Sequence, residues 1–551
     1  MARPRKIVAV DCETDPFLNG RVPEPFIWGA YDGLDFTTYE NAGDLIADFQ
    51  DKNVYMFAHN GGKFDFMFLL RYIDKTRARI IKSRLVEFRI GKAIFRDSWS
   101  IIPIALREYR KDEIEYWKLE RDHREEHRLE ILRYLRTDCI ALHELVGQYF
   151  ARVGKRTTIA SNALAFARKQ GIDVGKTDHR FDKRFREFYY GGRCQAFQAG
   201  EFQQVNCFDI VSAYPYAMIH QHPTGFETLE STSLNGLTES EIQRSFIDIT
   251  CVADGCFPVS TRTGLSFPHI LGRFNITGWE YLAAKKHNLF RHERINAVHT
   301  FKYTLDFKPY VEHWFKVKQE GKDNGNKADY IIGKIMMNSL YGKLAQTPVN
   351  YCDYEIHPAG TAIDWENGWR LEKCFDDLEL HARDALWKIK QKYEGEEWEK
   401  CPIHYNVATG ASITGFTRAY LLDAIHTVGA DKVVYCDTDC IFALPGADNF
   451  ALRQDGKLGS WEWEGTADPA VIAGKKLYAL EFVNGPAAGK SKLRAKGAPE
   501  RKVTIDHLRQ MVNNMDDPDF RVAFSFDAPT FSIGNRPQFI VRKLRATAQR
   551  Q

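Results

Sequence analysis

The sequence predicts a multidomain protein of α/β and α+β class, and three observations support that prediction. A chain of 551 residues is too long for one hydrophobic core, so roughly three or four domains are expected. Near the start, an apolar strand leads into Asp11 and Glu13, and the pattern of residues 129–145 is helical. Further on, apolar runs flank Asp437 and Asp439, which predicts a β-hairpin with two carboxylates at its tip.

Composition restricts the class of protein further. Hydrophobic residues make up 44% and charged residues 27%, which is typical of soluble globular proteins. No apolar stretch approaches a membrane span, and the chain start leads directly into a strand, so we expect no signal peptide and no membrane partner. The eleven cysteines lack paired spacing, which indicates scattered thiols in a reducing cytoplasm. The net charge of +3 does not by itself indicate a nucleic-acid binder.

The hairpin acids form the clearest chemical signal in the chain. Residues i and i+2 of a strand point to one face, so Asp437 and Asp439 are expected to face together. Two adjacent carboxylates are unfavourable unless a cation compensates their charge, and Mg²⁺ takes carboxylate oxygens together with substrate phosphates. A solvated Asp-x-Asp turn is the alternative, but strands on both sides place these acids in a sheet. The pattern therefore predicts a metal site for phosphoryl transfer.

A second set of acids lies in the first 150 residues. Asp11 and Glu13 share a strand face, and Asp65 follows a Gly-Gly turn and opens an apolar helical run. Tyr134 and Asp138 are four residues apart on one helix face. Each acid alone is equally consistent with a helix cap or a surface residue. Together, four carboxylates match the ligand count of a two-metal hydrolytic site, where Tyr134 would orient the attacking water.

These segments resemble the three motifs of the DEDDy 3′–5′ exonuclease domains that precede family B DNA polymerases. The resemblance implies that two metal ions are held by Asp11, Glu13, Asp65 and Asp138. It also implies that Asn60 and Phe64 contact single-stranded DNA. Ser98, in the segment 97–103, resembles a further strand-contacting residue of the protein-primed branch. Lys111 resembles the lysine that assists cleavage in that branch.

Basic and aromatic side chains alternate between residues 179 and 193, a pattern that suits a track for single-stranded nucleic acid. An amphipathic helix whose aromatic side chains are core residues is the alternative. The stretch ends in a Tyr-x-Gly-Gly sequence, which resembles the family B motif that couples DNA binding between the two active sites. By that resemblance, DNA is contacted by Tyr189, Gly191 and Gly192.

A strand ending at Asp209 resembles polymerase motif A. The resemblance implies that Asp209 joins Asp437 and Asp439, that Ser212 contacts DNA, and that Tyr214 lies under the incoming sugar and excludes a 2′-hydroxyl. An aspartate that ends a strand before a Tyr-Pro turn is the alternative.

Another segment resembles motif B, with Lys334, Asn338 and Tyr341 at the expected spacing. On a single helix these three residues would share one face, with a cation for the triphosphate and an amide and a ring near the nascent base pair. An amphipathic helix that ends in glycine is the alternative, but it does not explain a lysine on that face.

Downstream residues resemble the primer-binding parts of the family. Lys476 and Tyr478 match the Lys-x-Tyr motif that holds the primer end, and strand alternation would put both on one face. Residues 489–502 carry six basic side chains against one acid, and Lys496 stands where family B chains contact the primer duplex. A clasp around the phosphate backbone is the functional interpretation, and solvated lysines are the alternative.

The order of all these motifs resembles family B DNA polymerases, in particular the protein-primed viral branch and its tectivirus-type phage members. The implied fold is an RNase H-like DEDDy exonuclease domain followed by a right-hand polymerase of palm, fingers and thumb. The expected boundaries are the exonuclease at 1–155, a helical basic linker at 156–188, the palm at 189–224 and 408–485, a first insertion that contacts the terminal protein at 225–310, the fingers at 311–344, a second insertion for strand displacement at 345–407, and the thumb at 486–551.

The implied activity is template-directed DNA synthesis with 3′–5′ proofreading on a linear phage genome, started from a terminal protein. The implied cofactors are two Mg²⁺ ions per active site, or Mn²⁺, with Asp209 and Asp437 as main ligands and Asp439 in support. The implied partners are template and primer DNA, dNTPs and the terminal protein, for a monomer in a bacterial host cytoplasm. Two alternatives stay open: a DNA-primed family B polymerase of plasmid or cellular origin, and a catalytically silent DNA-binding scaffold.

Overall fold

The structure is a computed structural model that describes most of the chain. The described residues are 5–73, 75–110, 112–262, 264–347, 352–358, 361–362, 366–374, 385–391, 403–528 and 538–547. The predicted cleavage lysine, Lys111, lies outside these ranges, as do parts of the predicted second insertion and thumb. Among the described helices, none is both long and apolar enough to cross a membrane.

The N-terminal part is a mixed sheet covered by a long helix. The strands are β1 (Lys6–Thr14), β2 (Pro25–Tyr31), β3 (Phe36–Tyr39), β4 (Val54–Ala58), β5 (Thr76–Ile81), β6 (Arg84–Ile90) and β7 (Ala93–Asp97), and the helices are α1 (Ala42–Phe49) and α2 (Arg128–Arg152). Side chains of β1 alternate between two cores, with Val8 and Val10 on one face and Ala9 on the face covered by α2. This alternation fixes which face of β1 carries its terminal acids.

The connection to the second half is helical and then enters a second sheet. It comprises α3 (Ile159–Lys169), α4 (His179–Arg186), β8 (Cys194–Ala196), β9 (Gly200–Phe202), β10 (Val205–Ile210) and α5 (Ala213–Met218). Phe185 and Phe188 are buried in a hydrophobic cluster with Phe246 and Phe301. These aromatic side chains are therefore core residues, as the alternative interpretation of the basic and aromatic stretch proposed.

The first predicted insertion is an antiparallel sheet with two helices. Its elements are β11 (His222–Ser231), α6 (Glu239–Gln243), β12 (Ser245–Asp254), β13 (Val259–Thr261), β14 (Gly264–Ser266), β15 (His269–Thr277), α7 (Gly278–Lys286) and β16 (Phe290–Leu305). The main sheet has the order β11-β16-β12-β15, and β13 pairs with β14. The capping box of Thr277 and Glu280 starts α7.

Helices and a strand hairpin follow. They are α8 (Lys308–Asp323), α9 (Lys327–Met337), α10 (Leu340–Leu344), β17 (Cys352–Pro358), β18 (Arg370–Cys374) and β19 (Ala385–Gln391). β17 pairs with β5, so this part of the predicted second insertion extends the N-terminal sheet to ten strands. The pairing covers an edge that β5 would otherwise expose.

The central sheet and the C-terminal part complete the fold. Their elements are α11 (Val407–Val428), β20 (Val433–Asp437), β21 (Cys440–Ala443), β22 (Trp461–Gly474), β23 (Leu477–Asn484), β24 (Ser491–Ala495), α12 (Ile505–Asn513), β25 (Val522–Ala528) and β26 (Gln538–Leu544). The sheet order is β24-β23-β22-β10-β21-β20-β8, with β9 paired to β22. Because β10 lies between β21 and β22, it is a central strand, and Asp209 stands near its end.

Candidate active sites

The acids of the second half meet at the end of the central sheet. Asp209 on β10 is opposite Cys440 on β21, and Cys440 is in turn opposite Asp437 on β20. The backbone N–H of Ile210 donates a 2.6 Å hydrogen bond to the Asp439 carbonyl, which holds the hairpin turn beside motif A. The predicted hairpin is confirmed. The prediction that Asp437 and Asp439 share a strand face is wrong, because β20 ends at Asp437 and the two-residue turn consists of Thr438 and Asp439.

The turn between the acids depends on a close backbone contact. Thr438 has a positive φ of 59°, and its N–H donates a 2.6 Å hydrogen bond to the Arg193 carbonyl. A Cβ on Gly192 would lie 2.5 Å from Thr438 Oγ1, so packing under the hairpin already requires glycine here. A Cβ on Gly191 would meet no neighbouring atom within 4 Å, so packing does not require glycine there.

Burial and mutual repulsion raise the pKa values of two acids at the end of the central sheet. Burial first, and then Asp439 and Glu464, raise the pKa of Asp209 to about 7. Burial, followed by Asp437, raises the pKa of Asp439 to about 6. Both carboxyl groups therefore hold protons more tightly than ordinary aspartates, as expected where negative charges meet and a cation would be bound.

Asp437 has a different partner. Lys476 Nζ donates a 2.7 Å hydrogen bond to Asp437 Oδ2. The prediction that Lys476 shares a strand face with Tyr478 is wrong, because Lys476 lies in the turn before β23 with a positive φ of 54°. Tyr478 packs edge-on against Tyr435 and is 4% exposed, so the sheet core holds its ring away from direct DNA contact.

Aromatic side chains of motifs A and B meet above the acids. The rings of Tyr214 and Tyr341 stack with centroids 4.0 Å apart and planes 16° apart. Burial, followed by Tyr189, raises the pKa of Tyr341 to about 12. The three tyrosines of three separate motifs are therefore neighbours.

The predicted single helix for motif B is wrong. Lys334 lies in α9, Asn338 caps its C-terminus, and Tyr341 lies in the separate helix α10. Asn338 Nδ2 donates a 2.9 Å hydrogen bond to the Lys334 carbonyl, so its side chain ends the helix by competing for the backbone. Lys334 is nevertheless exposed, and it lowers the pKa of half-buried Lys318 after burial itself. The two lysines form a cationic patch on the helical hairpin.

The four acids of the N-terminal part also converge. Burial first, and then the carboxyl groups of Asp65, Glu13 and Asp138, raise the pKa of Asp11 well above its ordinary value. Asp11 and Asp65 share a hydrogen bond, and burial raises the pKa of Asp65 to about 6. Burial, then Asp138 and Glu13, raise the pKa of Tyr134, which places its hydroxyl beside the same acids. The strand β1, the 3₁₀ turn that begins at Asp65 and the helix α2 thus bring the predicted acids and Tyr134 together.

The donor groups are of the chemical kind that fits a divalent cation. The groups named above that raise the pKa of Asp11 are all carboxyl groups, which are the ligands that hard cations prefer. Within the described ranges, no three His, Cys, Asp or Glu side chains already form a metal-binding group. Asp11, Glu13, Asp65 and Asp138 are the residues that would hold divalent ions here, and their carboxyl groups would have to be deprotonated to do so.

Two predicted DNA-contacting residues are held by neighbours that the sequence did not indicate. Asn60, with a positive φ of 64°, accepts a 2.8 Å hydrogen bond from Arg84, which also pairs with Asp97 at 2.5 Å. Ser98 is fully buried, so the prediction of a direct DNA contact is wrong. Its hydroxyl instead forms a 2.9 Å hydrogen bond with His59. Arg84 sits on β6, outside any motif, and no local signal marks it.

Phe64 and the remaining predicted contacts are accessible. Phe64 is half-buried and packs between Phe17 and Phe68, with ring centroids 5.6 and 5.3 Å away. Lys496 is exposed, and its N–H donates to the Lys476 carbonyl at 2.8 Å. Ser212, with a positive φ of 57°, stands at the N-cap position of α5.

A buried ion pair joins the Tyr-x-Gly-Gly loop to the first insertion. Arg418 Nε donates to Glu280 Oε1 at 2.8 Å, and both side chains are 2% exposed. Arg418 Nη1 also donates to the carbonyls of Tyr190 and Gly191 at 2.6 and 2.9 Å. Sequence reasoning missed Arg418, because its partners lie in other segments and only the folded chain brings them together.

Comparison with known proteins identifies the class. The fold matches that of Phi29 DNA polymerase complexed with primer-template DNA and incoming nucleotide substrates, with a TM-score of 0.74 at 17% identity over 99% of this chain and all of that one. This is the fold of a family B polymerase, with an exonuclease domain and a palm, fingers and thumb. Residues 107–427 match the model of the family described as DNA polymerase type B, organellar and viral.

The chain belongs to that family. It is 35% identical to the DNA-directed DNA polymerase of Enterobacteria phage PRD1, covering 98% of both chains. It is also 23% identical to the DNA polymerase of Bacillus phage PZA, covering 72% of this chain and 70% of the relative. The protein is therefore a DNA-directed DNA polymerase of the viral type, and polymerases of this family generally use divalent metal ions.

Proposed function

We propose that DNA synthesis takes place at Asp209 and Asp439, with Asp437 as a supporting carboxylate. The carrying observation is that Asp209 and Asp439 repel each other while Lys476 holds Asp437 at 2.7 Å. The sequence predicted Asp209 and Asp437 as the main metal ligands, whereas these contacts favour Asp439 as the second ligand. Two Mg²⁺ ions, or Mn²⁺, bound here would activate the primer hydroxyl and stabilise the leaving pyrophosphate.

The side chains above the acids position the incoming nucleotide in this proposal. The stacked rings of Tyr214 and Tyr341 form a flat apolar floor against which a sugar and a base pair can lie. Lys334 and Lys318 supply positive charge where the triphosphate gains negative charge during transfer. Tyr189, Gly191, Gly192, Ser212, Lys476 and Lys496 remain predicted DNA contacts.

The second proposed activity is 3′–5′ proofreading in an RNase H-like DEDDy site. Its support is the convergence of Asp11, Glu13, Asp65 and Asp138, with the Tyr134 hydroxyl beside them to orient a water. Accessible Phe64 and the Arg84-braced Asn60 are placed to hold a single-stranded primer end. Lys111 is proposed to assist cleavage on resemblance alone.

We propose further that synthesis starts on a hydroxyl of a terminal protein. Family membership and the likeness to phage polymerases support this, as does the presence of a folded sheet between motifs A and B where that branch has its first insertion. The second insertion is proposed to promote strand displacement by a monomer. A DNA-primed relative of plasmid or cellular origin is the remaining alternative, and the domain boundaries stay as predicted.

Extension of a primed single-stranded circle with Mg²⁺ and four dNTPs, with no helicase or clamp added, tests the proposed synthesis and strand displacement together. Product much longer than the circle would show strand displacement by the polymerase itself and favour the protein-primed branch. Synthesis that stops after one circle would favour the DNA-primed alternative. Absence of product while DNA stays bound would contradict the assignment of the active site.

A further inference from the structure

A loop of the N-terminal domain touches the C-terminal hairpin. The N–H of Gly20 donates a 2.6 Å hydrogen bond to Asp527 Oδ1 at the end of β25. Gly20 has a positive φ of 76°, and a Cβ there would lie 2.8 Å from the N atom of Phe539 on β26. The two segments are 507 residues apart in the chain, so only the folded arrangement brings them together.

The loop is braced at its base. Asp15 is 1% exposed, accepts a 2.6 Å hydrogen bond from the N–H of Glu24, and pairs with Arg21 at 3.1 Å. Arg121 adds a second contact by pairing with Glu24 at 2.6 Å. Because these contacts fix both ends of the loop, a displacement of its tip is expected to move the whole loop.

The same loop reaches the entrance of the exonuclease site. It begins directly after β1, the strand that carries Asp11 and Glu13. Phe17 in the loop packs against Phe64, with ring centroids 5.6 Å apart. One rigid loop therefore contacts the C-terminal hairpin at its tip and the proposed strand-holding phenylalanine along its side.

We propose that this contact positions the C-terminal hairpin against the exonuclease entrance and sets how readily a primer end passes from the polymerase site to the exonuclease site. Gly20 and Asp527 are positioning residues in this account, since neither lies among the reacting groups. The proposal rests on the proposed exonuclease. Its logic is that a free single strand reaches the exonuclease by diffusion, whereas a paired primer end must separate and cross between the two domains.

The test compares exonuclease rates on two substrates, a single-stranded oligonucleotide and a primer-template with a mismatched 3′ end. Asp527→Ala removes the acceptor of a charge-assisted hydrogen bond, so the rate on the paired substrate is expected to fall roughly tenfold. The single-strand rate and one-nucleotide incorporation are expected to stay unchanged. Asp527→Asn keeps an acceptor oxygen and should restore most of the rate.

Two controls separate positioning from general damage. Asp516→Ala changes an exposed acid of the same region and should leave both rates unaltered. Gly20→Ala should reproduce the Asp527→Ala effect through its collision with β26, whereas Gly171→Ala strains a similar positive φ with nothing within 4 Å and should not.

Each outcome is decisive. Equal rates for Asp527→Ala and the unmodified chain on the paired substrate, or an equal fall on both substrates, would overturn the inference while leaving the exonuclease in place. Failure of the unmodified chain to degrade the single strand would overturn the proposed exonuclease, and this inference with it.

Discussion

Lys476 Nζ, in the turn between β22 and β23, lies 2.7 Å from Asp437 Oδ2 at the end of β20. The lysine is half-exposed and the aspartate is largely buried. This pair gives one of the three neighbouring acids a cationic partner within the protein. The remaining two, Asp209 and Asp439, keep raised pKa values of about 7 and about 6.

Replacing Lys476 should weaken synthesis without abolishing it. Because the pair is partly exposed, Lys476→Ala is expected to lower the incorporation rate by roughly two- to fivefold. Lys476→Arg should retain most of the rate, since it keeps the charge. Single-nucleotide incorporation measured at saturating dNTP, beside exonuclease on a single strand as a control, checks this; a larger loss in the exonuclease than in synthesis would contradict it.

The stacked tyrosines predict a change in sugar selectivity. Tyr214 lies flat on Tyr341, so its ring is fixed where a 2′-hydroxyl would collide in the proposed complex. Tyr214→Val is expected to raise ribonucleotide incorporation relative to deoxyribonucleotide by roughly tenfold or more. The measurement is the ratio of kcat/KM for ATP and dATP on one primer-template. An unchanged ratio with lowered dATP use would show that Tyr214 supports the site without selecting the sugar.

The buried pair of Arg418 and Glu280 predicts a large loss of stability when one partner is removed. Each side chain is 2% exposed, so Arg418→Met or Glu280→Met leaves a buried charge uncompensated, at a cost of about 3–5 kcal/mol. The double substitution Arg418→Met with Glu280→Met should recover part of the loss. Urea unfolding of the four proteins measures this. Additive losses in the double variant would contradict a direct coupling.

A buried histidine predicts sensitivity to acid. His222 bonds to Ser412 and to the Ala217 carbonyl at 2.9 and 2.7 Å, and burial lowers its pKa from 6.5 to about 3. The unfolded chain then takes up a proton below pH 6.5 that the folded chain refuses until about pH 3. Stability supplied by neutral His222 is therefore lost as the pH falls through this window, by about 1.4 kcal/mol per unit.

His222→Gln should flatten that part of the pH profile. Glutamine keeps a donor and an acceptor but does not titrate, so its unfolding free energy should fall less steeply between pH 6 and pH 4 than that of the unmodified chain. Parallel slopes for the two proteins would show that other groups control the acid response.

The local sequence pattern was sufficient to predict the elements that carry the acids. Apolar runs predicted the hairpin of β20 and β21, and the helical pattern predicted that α2 carries Tyr134 and Asp138 on one face. Those features depend on residues close together in the chain. The periodic order of polar and apolar positions therefore predicts them.

Contacts between distant segments could not be predicted from the sequence. The pairing of β17 with β5, the Arg418–Glu280 pair and the Lys476–Asp437 pair each join segments that carry no shared local pattern. The prediction for motif B was wrong for a different reason. The spacing of Lys334 and Asn338 fits a continuous helix, but it also fits a helix that ends at Asn338, whose side chain can cap it. Tertiary packing decided between those two structures.

The most direct measurement is the incorporation rate of three asparagine variants, each paired with its single-strand exonuclease rate. The account predicts that Asp209→Asn and Asp439→Asn lose roughly a hundredfold or more of synthesis, that Asp437→Asn loses less, and that all three degrade a single strand normally. Asp11→Ala with Glu13→Ala should show the reverse. Synthesis that survives Asp439→Asn but not Asp437→Asn would contradict the assignment of the central acid pair, and loss of both activities in any one variant would contradict two separate sites.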